Sequence, residues 1–199
     1  MGTDSTTPGY LGPLPPEPLY DRALEDMFQA VIRGLTGLPG NLVRPRWQPD
    51  PPNQPAVDVT WLAFGVTVGS LQWNAYQKFD PTLDPPNGAY VVEGAEELRL
   101  NLSFYGPGGK ALLGRFAAGI QLDQNLEELR TQNIKFVGLS ASINLPALLK
   151  EMWTLRTDMS VTFTRWGTRT YPIKSLVSAI GGLNNEFYVE PISVTPPSE

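Results

Sequence analysis

The sequence predicts an α/β (α+β) domain, a twisted and mostly antiparallel sheet with two main helices packed on it. Three observations carry that expectation. Residues 96–122 pass from two-residue alternation to helical spacing across a Gly-Pro-Gly-Gly turn. An amphipathic helical stripe precedes it at residues 19–35. Further alternating segments recur near residues 57–68, 134–143 and 154–165.

Taken in order, residues 1–18 are rich in Pro, Gly, Ser and Thr and carry few large apolar groups, so they are expected as a flexible arm or a segment extended along a partner. Tyr20, Leu24, Met27, Phe28, Val31 and Leu35 then form one helix face. Acidic residues open this helix, Arg33 stands near its end, and Gly34, Gly37 and Pro39 stop it. A short strand is expected at 42–47, followed by the stiff PDPPNQP turn. Residues 57–68 read as a central strand, with Val57, Val59, Trp61 and Ala63 facing one way and Leu62, Phe64 and Val66 the other.

Residues 69–88 are read as a strand as far as Phe79 carrying Trp73, Tyr76 and Phe79, followed by the turn-rich excursion DPTLDPPNG; the aromatics either form an exposed contact surface or pack on their own core. In the next strand Leu98, Leu100, Leu102 and Phe104 alternate with Arg99, Asn101 and Ser103. Pro107 and the glycines around it end that strand, and Leu112, Leu113, Phe116, Ala117 and Ile120 mark a helix running to about Leu122. Asp123 is placed to cap a short helix over 124–131. A helical turn is expected over 146–153. The last strong strand has Leu155, Thr157, Met159, Val161 and Phe163 on its apolar face, and Trp166-Gly167-Thr168 is expected to turn the chain. The reading is one domain over 19–180 with an extended tail over 181–199 that contains a short strand at 187–192.

Composition excludes much chemistry. The chain has no cysteine and no histidine, so it can build neither a thiolate or imidazole catalytic system nor a metal site of those ligands. A net charge of -5 with scattered basic residues opposes binding to a phosphate backbone. No apolar run is long enough to span a bilayer, and the first thirty residues lack a signal-peptide pattern. Glycine and proline, 19 and 20 residues, imply many turns and long connections.

The remaining candidates are weak. GPGGKA at 106–111 has the loose spacing of a dinucleotide loop, but its strand alternates, Pro107 lacks an amide, and Phe104 and Ala111 break the Walker pattern. Carboxylate pairs such as Glu93 with Glu96 or Glu97, or Glu127 with Glu128, are the raw material of a hydrolase, yet adjacent acids usually form a solvated face. Nothing separates Lys110, Lys135 or Lys150 from surface lysines. Interface candidates are Arg44, Arg46 and Trp47, a basic-aromatic group, and Arg156 with Asp158, two residues apart on one strand face. Trp73, Tyr76 and Phe79 would serve a small protein-binding adaptor, the main alternative to a structural role.

The order of the motifs TGLPGNLVRPRWQP, VDVTWLAFGVT, SFYGPGGKA, LDQNLEEL and WTLRTDMSVTFTR resembles the neck or tail terminator proteins of tailed bacteriophages, over residues 19–171. The resemblance implies a small α/β domain that assembles as a ring, a hexamer, which caps the tail tube and joins it to the head-side connector. It implies a virion protein with no catalysis and no cofactor; separately, the acidic balance suits a ring through which genome DNA passes unbound, and the lack of a membrane span and signal peptide suits assembly in the host cytoplasm. It also implies that Tyr105-Gly106-Pro107 is the strand-to-helix turn, that Asn125 lies in the next cap region, and that Arg156 and Asp158 belong to the final core strand. Flexible Pro-rich ends and the absence of a catalytic toolkit suit an assembly subunit independently.

Overall fold

A computed structural model of the chain describes residues 8–48, 50, 52–85, 87–149, 152–174, 179–185 and 188–194. The chain falls into two compact units, one formed by 18–73 with 94–167 and the other by 1–17, 74–93 and 168–199. The fold is the α+β arrangement that the sequence predicts. Strands β1 (Val43–Pro45), β2 (Trp61–Asp80), β3 (Ala89–Tyr105), β4 (Ile134–Leu139), β5 (Ile143–Asn144) and β8 (Arg156–Pro172) form one six-stranded sheet, and β6 (Ala147–Leu149) pairs with β7 (Met152–Thr154) in a separate hairpin. The order is β1-β2-β3-β8-β4, with β5 also on β8.

The sheet is antiparallel except at its edge, where β1 runs parallel to β2. Between β3 and β8, Ser103 meets Asp158, Asn101 meets Ser160 and Glu96 meets Arg165, numbers falling in one strand as they rise in the other. That register sorts the side chains by parity. Leu98, Leu100, Leu102 and Phe104 of β3, Leu62 and Phe64 of β2, and Met159, Val161 and Phe163 of β8 are all buried on one face. On β4, Phe136 pairs with Phe163 and Gly138 with Thr162, which leaves Val137 as a bulged residue exposed to solvent.

Helices α1 (Asp21–Thr36), α2 (Gly109–Gly119) and α3 (Glu127–Thr131) cover that apolar face through Leu24, Phe28, Val31, Ile32, Phe116 and Leu129. The helix α1 ends as expected: Gly37 takes a left-handed φ of 75°, and its N–H reaches Arg33 O at 2.8 Å. Arg115 of α2 donates to the Thr36 carbonyl at 3.1 Å, and Gly119 lets α2 approach Leu35 closely. A side chain at Gly106, with φ of 88°, would lie 2.5 Å from the Val59 carbonyl oxygen, so the strand-to-helix corner requires glycine there.

Several expectations are corrected. The central strand begins at Trp61, not Val57, because residues 57–59 form a turn in which Val59 N donates to Ala56 O. The strand read as far as Phe79 runs to Asp80 as one piece with the central strand, and the chain returns as strand from Ala89, so β2 and β3 make one long hairpin. Where a helical turn is expected over 146–153, Ala147–Leu149 and Met152–Thr154 pair as antiparallel strands. Helix α2 stops at Gly119, short of Leu122. Asp123 is no cap: it is the first residue of a 3-10 turn, Asp123–Leu126, that leads into α3, and its carboxylate pairs with Arg130 at 2.6 Å. Trp166-Gly167-Thr168 does not turn the chain, since β8 continues to Pro172.

In the other unit the N-terminal segment lies against its own chain. Leu14 N donates to Thr170 O at 2.7 Å, Glu17 pairs with Arg169, and Lys174 donates to Gly9 O. The short strand expected at 187–192 is found at Tyr188–Val194, paired antiparallel with Ala179–Asn185 in a stretch expected to be mostly loop.

Candidate functional site

The face of the sheet opposite α1, α2 and α3 gathers most of the predicted interface residues. Alternation sends Arg156, Asp158 and Ser160 of β8, Ser103 and Tyr105 of β3, and Trp61 and Ala63 of β2 to that side. Arg156 grips Asp158 bidentately, Nε to Oδ1 at 2.8 Å and Nη2 to Oδ2 at 2.5 Å. Asp158 Oδ1 also accepts from Ser103 Oγ at 2.7 Å, and the same Oγ accepts from Arg46 Nη2 at 2.6 Å. An ionic ladder thus crosses from the end of β1 over β3 to β8.

A second, aromatic ladder runs beside it. The Arg156 guanidinium lies 5.6 Å from the Tyr105 ring, Tyr105 stacks on Trp61 at 4.2 Å and 6°, and Arg44 lies 5.6 Å over Trp61 on its other side. Arg44 is held there by hydrogen bonds to the Asn41 and Asn53 carbonyls, each 2.7 Å long. Trp47 stands exposed with its ring against Gly65, where a Cβ would come within 2.6 Å of it. Arg44, Arg46 and Arg156 with Asp158 therefore belong to one continuous surface, joined through residues that sequence reasoning did not single out: Trp61, Ser103 and Tyr105.

The electrostatics follow from the geometry. Burial pushes the Asp158 carboxyl up, but the hydrogen bonds from Arg156 and Ser103 and the charges of Arg156 and Arg46 outweigh it and hold it below the ordinary carboxylate value. Its hydrogen bond to Asp158 raises Arg156, while burial lowers Arg46 against the pull of Asp158. Each charged group in the ladder has its partner in place, so the surface offers shape and a surplus of guanidinium charge and no poised acid or base.

The other predicted residues do not join it. Tyr76 and Phe79 are exposed residues of β2, three apart and so on opposite faces of the strand, and the Phe79 ring packs edge-on against Tyr90 at 5.9 Å. They belong to a strand, the one of the two expected arrangements that the structure has; the side chain of Trp73 lies outside the described residues.

Two of the enzyme candidates, the Glu96–Glu97 pair and the GPGGKA turn, are bound up in contacts within the chain, and Lys150 lies outside the described residues. Glu96 is buried, its Oε2 accepting from Arg165 Nε at 2.9 Å and its Oε1 from the Tyr20 hydroxyl. Arg165 in turn donates to Leu19 O at 2.5 Å and lies 4.5 Å from the Tyr20 ring. That network ties the start of α1 to the sheet, and nothing in the sequence marks Glu96 apart from Glu97, which pairs with Arg99 at the surface at 3.0 Å. The amides of the GPGGKA turn are committed internally: Gly106 N to Leu155 O at 3.0 Å, Gly108 N to Thr60 Oγ1 at 3.0 Å, and Gly109 N to Gly106 O at 3.1 Å. A phosphate would have to displace those bonds.

One comparison with known proteins decides the family. The family model described as phage neck terminator protein matches residues 22–186, which span the helices, the six-stranded sheet and both ladders. The chain belongs to the phage neck terminator family. No curated protein matches it. A neck terminator is a structural protein of the bacteriophage virion and not an enzyme, in keeping with carboxylates and amides that are spent on packing and pairing. The strand ends at Tyr105 and the helix begins at Gly109, so Tyr105-Gly106-Pro107 opens the strand-to-helix turn, as expected. Asn125 lies in the cap region, where its side-chain amide donates to Gly119 O at the end of α2, 2.9 Å away. No helix among the described residues is long and apolar enough to cross a membrane.

Proposed function

We propose that this neck terminator assembles as a closed ring, a hexamer, that caps the tail tube and joins it to the head-side connector. Genome DNA passes through the ring without specific binding, and assembly takes place in the host cytoplasm. The observation that carries this reading is the family match over 22–186. The sheet face built on Arg44, Trp61, Tyr105, Arg156 and Asp158 supports it as a preorganised contact surface, because its side chains are already held by one another and lose little freedom on docking. A net charge of -5 supports unbound passage of DNA, since like charge opposes adhesion to phosphates.

Native mass spectrometry of the purified chain tests the ring: one closed species with a fixed copy number is expected, and a strict monomer across the micromolar range overturns it. Fluorescence anisotropy with labelled duplex at low salt tests the passage, where saturable, salt-sensitive binding is the contrary result.

A further inference from the structure

The six-stranded sheet ends on two bare edges. On one side β1 pairs only with Leu62, Ala63 and Phe64 of β2, and among the described residues no strand lies outside β2 beyond Phe64. On the other side β4 is the last strand, with none outside it among the described residues. An open edge is a row of unpaired backbone donors and acceptors, which proteins ordinarily blunt with charge or proline. From Val66 to Gln72 the β2 edge carries neither.

The backbone hydrogen bonds fix which residues point outward, because the N–H and C=O of one strand residue leave on the same side. Arg46 N donates to Phe64 O, so Val66, Val68 and Ser70, at the same parity, aim their backbone groups away from β3. On β8, Ser160 O and Trp166 N turn toward the β4 side, bonding Ser140 N and Asn133 O. Thr164 therefore bonds its register partner Lys135, and Ile134 and Phe136 aim outward. Val66, Ile134 and Phe136 all pack toward the helix-covered core, so the outward residues of both edges carry their side chains on the same face of the sheet. An antiparallel hydrogen-bonded pair requires that combination. The two edge strands also run in opposite directions, since each step of β2-β3-β8-β4 is antiparallel.

We propose that residues 66–70 of one subunit pair antiparallel with Ile134–Leu139 of the next, so that the sheet continues from copy to copy. This join rests on the ring proposed above and names the strands that build it. A second copy is the occupant because one chain carries both edges, opposed in direction and matched in parity and face. The edges are different surfaces, so the join is head-to-tail, the kind that closes into a ring and not into a two-fold dimer. Charge agrees with it. Lys135 is exposed and alternates with Ile134 and Phe136, which places it on the open face, where Glu97 Oε1 stands 3.1 Å from the position of a Cβ on Gly69. The missing side chain at Gly69 leaves the neighbour's lysine a path to that carboxylate.

Hydrogen exchange of the full chain, dilute and assembled, read residue by residue, tests the join. In the single chain the amides of Thr67 and Gly69, turned toward β3, should exchange slowly and those of Val68 and Ser70 fast. Assembly should slow Val68, Ser70, Ile134 and Phe136 by at least about tenfold. Val68→Pro removes one outward N–H, a change an edge strand tolerates, so the circular dichroism and urea midpoint of the single chain should hold while sedimentation shows assembly weakened at least about tenfold. Rings whose Val68 and Ser70 amides exchange as in the single chain, or rings undiminished by Val68→Pro, overturn the join and leave the ring standing. Protection at Val68 and Ser70 without protection at Ile134 and Phe136 also overturns it, because another segment then covers β2. A wild-type chain that stays monomeric at every concentration defeats the ring, and the join with it.

Discussion

Replacing Glu96 by Ala should be among the most damaging single changes in this chain. Glu96 and Arg165 are each about 1% exposed, so the substitution leaves a guanidinium out of water without its carboxylate, beside the Leu19 carbonyl and the Tyr20 ring. Removing one member of a buried ion pair typically costs about 3–5 kcal/mol, a large part of the roughly 5–15 kcal/mol that holds a domain folded. At about 2–4 °C per kcal/mol for a chain of this size, the melting temperature should fall by roughly 6–20 °C. Urea unfolding followed by tryptophan fluorescence and by far-UV circular dichroism measures it. The double variant Glu96→Leu/Arg165→Met sharpens the test, because an apolar pair of similar volume leaves no orphaned charge and should recover most of the loss. A cost for Glu96→Ala below about 1 kcal/mol, or a double variant as unstable as the two single effects added, would refute the claim that this pair locks the start of α1 to the sheet.

Gly106→Ala should destabilise by about 1–3 kcal/mol, because it combines a left-handed backbone with a Cβ 2.5 Å from the Val59 carbonyl; an unchanged urea midpoint would contradict the corner geometry. The folded-state pKa of Asp158 lies below its unfolded value of about 3.9, so its stabilising contribution is complete above about pH 4 and is lost as pH falls through the lower, folded value. Asp158→Asn should therefore cost stability near neutral pH and progressively less in acid, and an equal cost at both ends would count against the ladder. Thr154→Val keeps the shape while removing the unpartnered hydroxyl, so the single chain should be no less stable, and stabilised by up to about 1–3 kcal/mol. A marked loss of monomer stability would mean that the hydroxyl has a partner within the chain.

The elements with clean periodicity were legible in the sequence. Leu98 to Phe104 and Thr157 to Phe163 alternate strictly, and both stretches are buried as the alternation requires. The 21–36 helix was equally clear, although Ile32, fully buried, was left off its apolar stripe. What failed were segments whose fate is set by distant pairing. Residues 69–80 read as separate from the central strand because aromatic and polar residues mix without a clean period, yet they are one stretch of a 20-residue strand with β3 beside it. Residues 146–153 lack strand periodicity, and only the pairing of Leu148 with Trp153 makes them a hairpin. For the site, Arg156 with Asp158 and Arg44 with Arg46 were visible as local spacings. Their union was not, because it depends on Ser103 and on the Trp61–Tyr105 stack, which bring together residues far apart in the chain. Glu96 shows the same limit: its register opposite Arg165, and not its own neighbourhood in sequence, makes it a buried partner.

The most direct test is a cryo-electron microscopy reconstruction of the neck of the parent phage particle, with this chain fitted to the density. The account predicts a closed ring of this chain between tail tube and connector. Single copies bound at the neck without touching one another would contradict it.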